Sequence, residues 1–148
     1  SSNRQSHHPA LMEFRQNLQE LKSQIDYLGS LKKEDVTHII KSSIYEIENL
    51  KIFNEEELNE INKVTLTSEP FNNLFFKYNK ERLVSRGVVY LEEENELHFI
   101  ISLFYFLKQR VPILFHTNSK LQLQSIDILF KFLEENGVSK KILMGIND

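Results

Sequence analysis

The segment from Leu97 to Ser119 constrains the fold more than any other part of this sequence. It reads LHFIISLFYFLKQRVPILFHTNS, which predicts a helix that is apolar on almost every side, a short polar break and a buried strand. Such a helix has to be covered all round, and a strand without alternating polar residues has to be covered on both faces. We therefore expect the hydrophobic core to form around this segment.

Strands and helices alternate along the chain from Gly87 onward. Three short apolar runs predict strands, at 87–91, 111–116 and 142–146. Two longer patterns between them predict helices, at 96–109 and 121–136. Asn95 and Ser119 stand where side chains cap these helices, and Gly137 stands where the second one ends. This β–α–β–α–β order predicts an α/β fold with a small parallel sheet, three-layered and Rossmann-like or PIN-like.

The N-terminal part of the chain, 9–79, predicts helices that cover the other face of this sheet. The first helix spans Pro9–Leu28, and its large apolar residues have the spacing of a coiled-coil seam: Leu11, Phe14, Leu18, Leu21 and Ile25. These residues are candidates for an interaction helix, and packing onto the chain's own domain is the favoured alternative. Farther on, a stripe of Val and Ile favours a helix at 32–44, while partial alternation in Tyr45–Phe53 leaves an extended conformation open.

Two more helices are predicted before the sheet begins. Asn54 and Glu57 have the spacing of a capping box, which predicts a helix start at Asn54, and a short helix is expected over 68–78. The polar stretch that follows, Lys77–Arg86, is interpreted as a solvated loop before the first strand. Its cations are nevertheless the best candidates for binding nucleic acid: Lys77, Lys80, Arg82 and Arg86.

Bulk composition narrows the class of protein. The 148 residues suit one domain at 9–148, after a polar flank at 1–8 that we expect to be disordered and to belong to a longer chain. A net charge of −3 gives no general affinity for nucleic acid or anionic membrane. Cysteine is absent, which excludes disulfides and thiolate metal sites. The longest apolar run is too short to span a bilayer and no signal segment opens the chain, so we expect an intracellular protein without a membrane partner.

The sequence lacks the motifs of several enzyme classes. There is no GxGxxG or GxxxxGK[ST] phosphate loop, so no nucleotide cofactor is expected, and there is no GxSxG or HExxH. Ligands of open parallel sheets bind beyond the carboxyl ends of the strands, where this chain places Glu92, Glu93, His116 and Asp148. They are the catalytic candidates of a nuclease using Mg²⁺ or Mn²⁺. The favoured interpretation is that the acids are solvated, that Ser119 is a cap, and that there is no catalytic set and no cofactor.

The segment ILFHTNSKLQLQSIDILFKFLEENGVSKKILMGI, with the strand before it, resembles the C-terminal part of a PIN-like domain over 88–146. In that family a strand ends in a Thr-Asn-Asp turn, whose Asp binds metal, followed by a helix, a glycine and a last strand. Here the turn reads Thr117-Asn118-Ser119, so the resemblance implies an inactive copy. Degenerate PIN-like domains occur in scaffold proteins of RNA-linked chromatin silencing, including TASOR-type proteins, which implies a nuclear rather than cytoplasmic location.

The leading hypothesis from the sequence is a non-enzymatic α/β domain that acts as a protein-interaction or scaffold module, through a protein partner or self-association. One alternative is a metal-dependent nuclease acting on single-stranded nucleic acid. Another is binding of RNA or DNA without catalysis, through the stretch Lys77–Arg86.

Overall fold

The computed structural model describes residues 9–66, 82–85 and 87–146, with side chains over 12–66 and 87–146. The flank at 1–8 and the helix expected at 68–78 lie outside the described residues. The described elements are, in chain order, α1 (Pro9–Lys22), α2 (Ile25–Gly29), α3 (Lys33–Asn49), α4 (Glu55–Leu66), β1 (Arg82–Ser85), β2 (Val88–Leu91), α5 (Glu96–Lys108), β3 (Ile113–Phe115), α6 (Lys120–Glu135), a 3₁₀ turn (Lys140–Ile142) and β4 (Leu143–Gly145).

The sheet has the strand order β1-β2-β3-β4. Strands β2, β3 and β4 are parallel, with Val89 opposite Ile113 and Ile113 opposite Leu143, which confirms the predicted β–α–β–α–β unit. Strand β1 pairs with β2 in the antiparallel direction. The interpretation of Lys77–Arg86 as a loop was therefore wrong at Arg82–Ser85. Gly87, with a φ of +80°, supplies the left-handed backbone that the turn into β2 requires.

The two faces of the sheet bury different elements because side chains alternate along each strand. Val88 and Leu114 form a small cluster with Leu21 of α1, joined by the partly buried Phe14 and Leu18. The opposite face belongs to the main core, which its strand residues share with α5 and α6: Val89, Leu91, Ile113, Phe115 and Leu143. Helix α1, the sheet and helices α3 to α6 thus form three layers, with the nearly all-apolar α5 at the centre.

Helices α3 and α4 pack against α5 and α6 within the main core. The expectation that the N-terminal helices cover the sheet's other face therefore holds for α1 and is wrong for α3 and α4.

Polar contacts support this packing: Lys131 of α6 donates to Glu46 of α3 at 2.6 Å, a hydrogen bond that raises the pKa of Lys131. Lys108 donates to the Val64 carbonyl at 2.7 Å. The pKa of Lys108 is lowered, mainly by burial and to a smaller extent by the positive charge of Lys33.

The structure corrects two predicted boundaries in the helical half. Helix α3 continues to Asn49, so the extended alternative for Tyr45–Phe53 was wrong over Tyr45–Asn49. The reason is that Ile44 and Ile47 continue the helical stripe into the core, and packing overrides the strand preference of β-branched residues. The helix predicted over Pro9–Leu28 is interrupted after Lys22, where the Ser23 hydroxyl donates to a helix carbonyl at 2.6 Å.

Several helix ends form as predicted. The Asn54 side chain accepts from the Glu57 N–H at 2.8 Å, and the Glu57 side chain accepts from the Asn54 N–H at 2.9 Å, which confirms the capping box. Asn95 caps α5 by accepting from the His98 N–H, and Gly137, with a φ of +68°, follows the end of α6. No helix among the described residues has the length and apolar character needed to cross a membrane.

Candidate functional site

The loops that follow β2 and β3 meet at the carboxyl edge of the sheet. They form a cleft of about 310 Å³, which we call the edge cleft, lined by Glu92, Glu93, Glu94, His116, Thr117, Asn118, Ser119 and Gln122. The cleft exists because β2 and β3 are parallel neighbours, so their carboxyl ends lie side by side. The third segment expected at this edge, with Asp148, lies outside the described residues.

Ser119 makes two kinds of hydrogen bond in this cleft. Its hydroxyl oxygen accepts from the Gln122 N–H at 3.2 Å, which caps α6 as predicted. Its hydroxyl proton faces the Glu96 carboxylate, whose two oxygens lie at 2.7 and 2.8 Å. Glu96 is the first residue of α5, so this contact connects the starts of the two helices that follow the parallel strands.

Gln122 connects the same two loops at greater depth. It is 2% exposed, and its amide Nε2 donates to the Glu93 carbonyl at 2.6 Å. Its Oε1 accepts from the Thr117 hydroxyl, and the Thr117 oxygen accepts from the Ser119 N–H at 3.0 Å. Gln122 was not among the residues predicted for this site. The signal was present, because Ser119-x-x-Gln122 has the spacing of a capping box, although here the glutamine side chain reaches the neighbouring loop.

Glu93 is the most deeply buried acid of the edge cleft, with 8% of its surface exposed, so the interpretation that these acids are solvated was wrong for Glu93. One carboxylate oxygen, Oε1, accepts from the Asn95 N–H at 3.1 Å. The other, Oε2, is buried and has no hydrogen-bond partner among the described residues. A buried acceptor of this kind is unusual, because leaving it unpaired costs free energy.

Glu92 and His116 lie together at the rim of the edge cleft. Glu92 Oε2 is 3.4 Å from His116 Nδ1 and accepts from the Tyr90 hydroxyl at 2.5 Å. The Glu92 side chain is 53% exposed, whereas the His116 side chain is 13% exposed. The structure thus brings together three of the four catalytic candidates, Glu92, Glu93 and His116. Over the part of the chain that the structure describes, no group of three or more His, Asp or Glu is placed to hold a metal ion.

The other predicted site residues lie elsewhere. Lys77, Lys80 and Arg86 fall outside the described residues, and Arg82 lies in β1, on the edge of the sheet, without a described side chain. In the proposed interaction helix, Leu21 is fully buried against the sheet and its seam neighbours pack beside it: Phe14, Leu18 and Ile25. The side chain of Leu11 is not among those described.

No protein-family model, no curated protein and no solved structure matches this chain. The PIN-like resemblance of 88–146 therefore stays a prediction.

Proposed function

We propose that this chain is a non-catalytic α/β module that binds a protein partner and acts as a scaffold. The observation that carries the proposal is the bonding of Ser119, whose hydroxyl caps α6 and donates to Glu96. In a PIN-like domain this turn carries a metal-binding Asp. Here the same position holds two helices together, which is a structural use of the residue.

The charge of the edge cleft supports a protein ligand over a nucleic acid. Three of its lining residues are glutamates, and among the residues that the structure describes no lysine or arginine lines it. The starts of α5 and α6 contribute roughly half a positive charge each, which is less than the three carboxylates carry. A phosphate backbone would be repelled from this edge.

The more specific form of the proposal is an inactive PIN-like module in a nuclear, RNA-linked silencing complex. It depends on the resemblance of 88–146 and on the serine in the turn Thr117–Ser119. Protein partners, and not a cofactor, would then define the role of the domain.

The proposal is tested first by binding. Proteins captured from nuclear extract on the immobilised chain are identified, purified singly and titrated against it, while light scattering measures self-association. We expect saturable binding of one protein, or a defined oligomer. A monomer to which none of the purified candidates binds would contradict the proposal.

Nuclease activity is tested in parallel on labelled single-stranded RNA and DNA with Mg²⁺ or Mn²⁺. We expect wild-type protein to cleave no faster than Glu93→Gln or Glu92→Gln protein purified in the same way. Metal-dependent cleavage that both variants lack would establish the nuclease alternative. Salt-sensitive RNA binding that is lost on Arg82→Glu and Arg86→Glu would support the nucleic-acid-binding alternative.

A further inference from the structure

We propose that the edge cleft binds an arginine side chain of the partner protein. This inference rests on the proposed function and deepens it, because it names the chemistry by which the partner is recognised. It is carried by the charge of the cleft and by the buried oxygen of Glu93 that has no hydrogen-bond partner in the described part of the chain.

The charge of the cleft selects a cation. Its eight lining residues include three carboxylates and His116, and the dipoles of the two helix starts offset only about one charge between them. Lys120, the cation nearest in sequence to the turn, is exposed and does not line the cleft. The electrostatic potential in the cleft is therefore negative, and a positively charged group lowers its free energy by entering the cleft.

Glu93 supplies the acceptor that a ligand can satisfy. The bond from the Asn95 N–H to Oε1 fixes the carboxylate, and Oε2 is left buried without a donor from the described residues. A donor brought by a ligand would replace an unmade hydrogen bond with a charge-assisted one. Binding thus gains at Glu93 without first breaking a contact within the protein.

A guanidinium group fits the arrangement of acceptors better than an ammonium group. Glu93 lies within the cleft, Glu92 stands half-exposed at its rim, and Asn118 offers an exposed amide on the facing loop. These acceptors lie on two loops, and guanidinium presents five N–H donors in a planar fork that can reach several of them at once. The compact lysine head group concentrates its donors at one point.

The test is a titration followed by ¹⁵N NMR. The probes are a short arginine-rich peptide and the same peptide with citrulline in place of arginine, which keeps the shape and removes the charge. We expect saturable shifts at the amides of Glu93, Thr117 and Gln122 with the arginine peptide, weaker binding in high salt, and no shifts at these amides with citrulline. Glu93→Gln should raise Kd by roughly tenfold or more, as expected for loss of a charge-assisted hydrogen bond.

Glu135→Gln is the matched control, because it makes the same change in charge at the opposite, exposed end of α6 and should leave Kd unchanged. If Glu93→Gln does not fold, Glu92→Gln at the rim replaces it and should also weaken binding. Equal binding of both peptides, or unchanged Kd in the folded cleft variant, overturns the inference. Shifts at the cleft amides with Mg²⁺ but not with the arginine peptide would also overturn it, in favour of a metal site.

The failures of the two proposals are distinguishable. If a purified partner binds wild-type and Glu93→Gln protein alike, the arginine site is wrong and the interaction module stands. If no captured protein binds the wild-type chain, the interaction module itself fails.

Discussion

Ser119→Ala should destabilise the fold well beyond the loss of an ordinary helix cap. The wild-type hydroxyl accepts from the Gln122 N–H and donates to the Glu96 carboxylate, so alanine removes two hydrogen bonds at once. The substitution also leaves the start of α6 without its bond to the start of α5. We therefore expect Ser119→Ala to lower the free energy of unfolding by more than Asn95→Ala, which removes the cap of α5.

The size of the effect follows from the two bonds. Loss of a serine cap costs about 1 kcal/mol. A hydrogen bond to a charged group contributes about 1.5–3 kcal/mol, and the lower end applies here because Glu96 is partly exposed and water can replace the lost donor. The sum is about 2.5 kcal/mol for Ser119→Ala. Asn95→Ala, which removes only the cap of α5, should cost about 1 kcal/mol.

Urea denaturation monitored by far-ultraviolet circular dichroism measures both variants. The slope of the free energy of unfolding against urea should not change, so the midpoint alone reports stability. A double-mutant cycle with Glu96→Ala isolates the contact, and we expect a coupling of about 1–1.5 kcal/mol between Ser119 and Glu96. The reasoning is refuted if Ser119→Ala costs no more than Asn95→Ala, or if the coupling is below about 0.3 kcal/mol.

Gly145→Ala should lower the free energy of unfolding, measured by urea denaturation, by about 1–3 kcal/mol, because the added methyl group would lie 2.8 Å from the Phe115 ring. Gly29→Ala should be neutral or stabilising, because the space around Gly29 is open. Equal effects of the two would show that the ring moves freely. Leu21→Ala should lower the free energy of unfolding by about 2–5 kcal/mol and speed amide hydrogen exchange in α1 more than in α6. Equal acceleration in both helices would show that other contacts hold α1 on the sheet. Ser119→Asp should keep the cap but place a second negative charge beside the Glu96 carboxylate, so it should lower the urea midpoint, and Ser119→Asn, which caps without that charge, should lower it less. Equal midpoints of the two variants would mean that the repulsion is unimportant.

The topology of the C-terminal half could be predicted because local and global signals agree there. The apolar runs of β2 and β3, the caps Asn95 and Ser119, and Gly137 all indicate the same boundaries. A strand buried on both faces leaves a continuous apolar run, and that run is itself the sign of a parallel sheet. Agreement among independent signals made the prediction reliable in this half.

Strand β1 was missed because charge obscured its pattern. Arg82 and Ser85 flank Leu83 and Val84, and the basic composition of the surrounding stretch indicated a solvated loop. The overlooked signal was Gly87, because a glycine between two short apolar runs, Leu83–Val84 and Val88–Leu91, indicates a hairpin. The sequence holds no comparable signal for the packing of α3 and α4 against α5 and α6. The pattern of an amphipathic helix shows which of its faces is buried, but not which element covers that face.

The position of the edge cleft could be predicted from the sequence, but its hydrogen bonds could not. Parallel strands fix where their carboxyl ends lie, so Glu92, Glu93 and His116 could be expected near one another. The sequence could not show that the Gln122 side chain would leave its own helix start for the Glu93 carbonyl. That choice depends on the distance between the two loops, which is a property of the assembled sheet.

The contact between Ser119 and Glu96 favours serine over aspartate in this turn. Both serine and aspartate cap helices well, so capping alone does not distinguish them. The Glu96 carboxylate does, because Ser119 has a hydroxyl proton to donate to it and an ionised aspartate has none. With aspartate, two like charges would be in direct contact at this position unless a cation lay between them. With serine, the Ser119–Glu96 contact needs no cation, and Glu93 is the buried carboxylate whose second oxygen has no donor among the described residues.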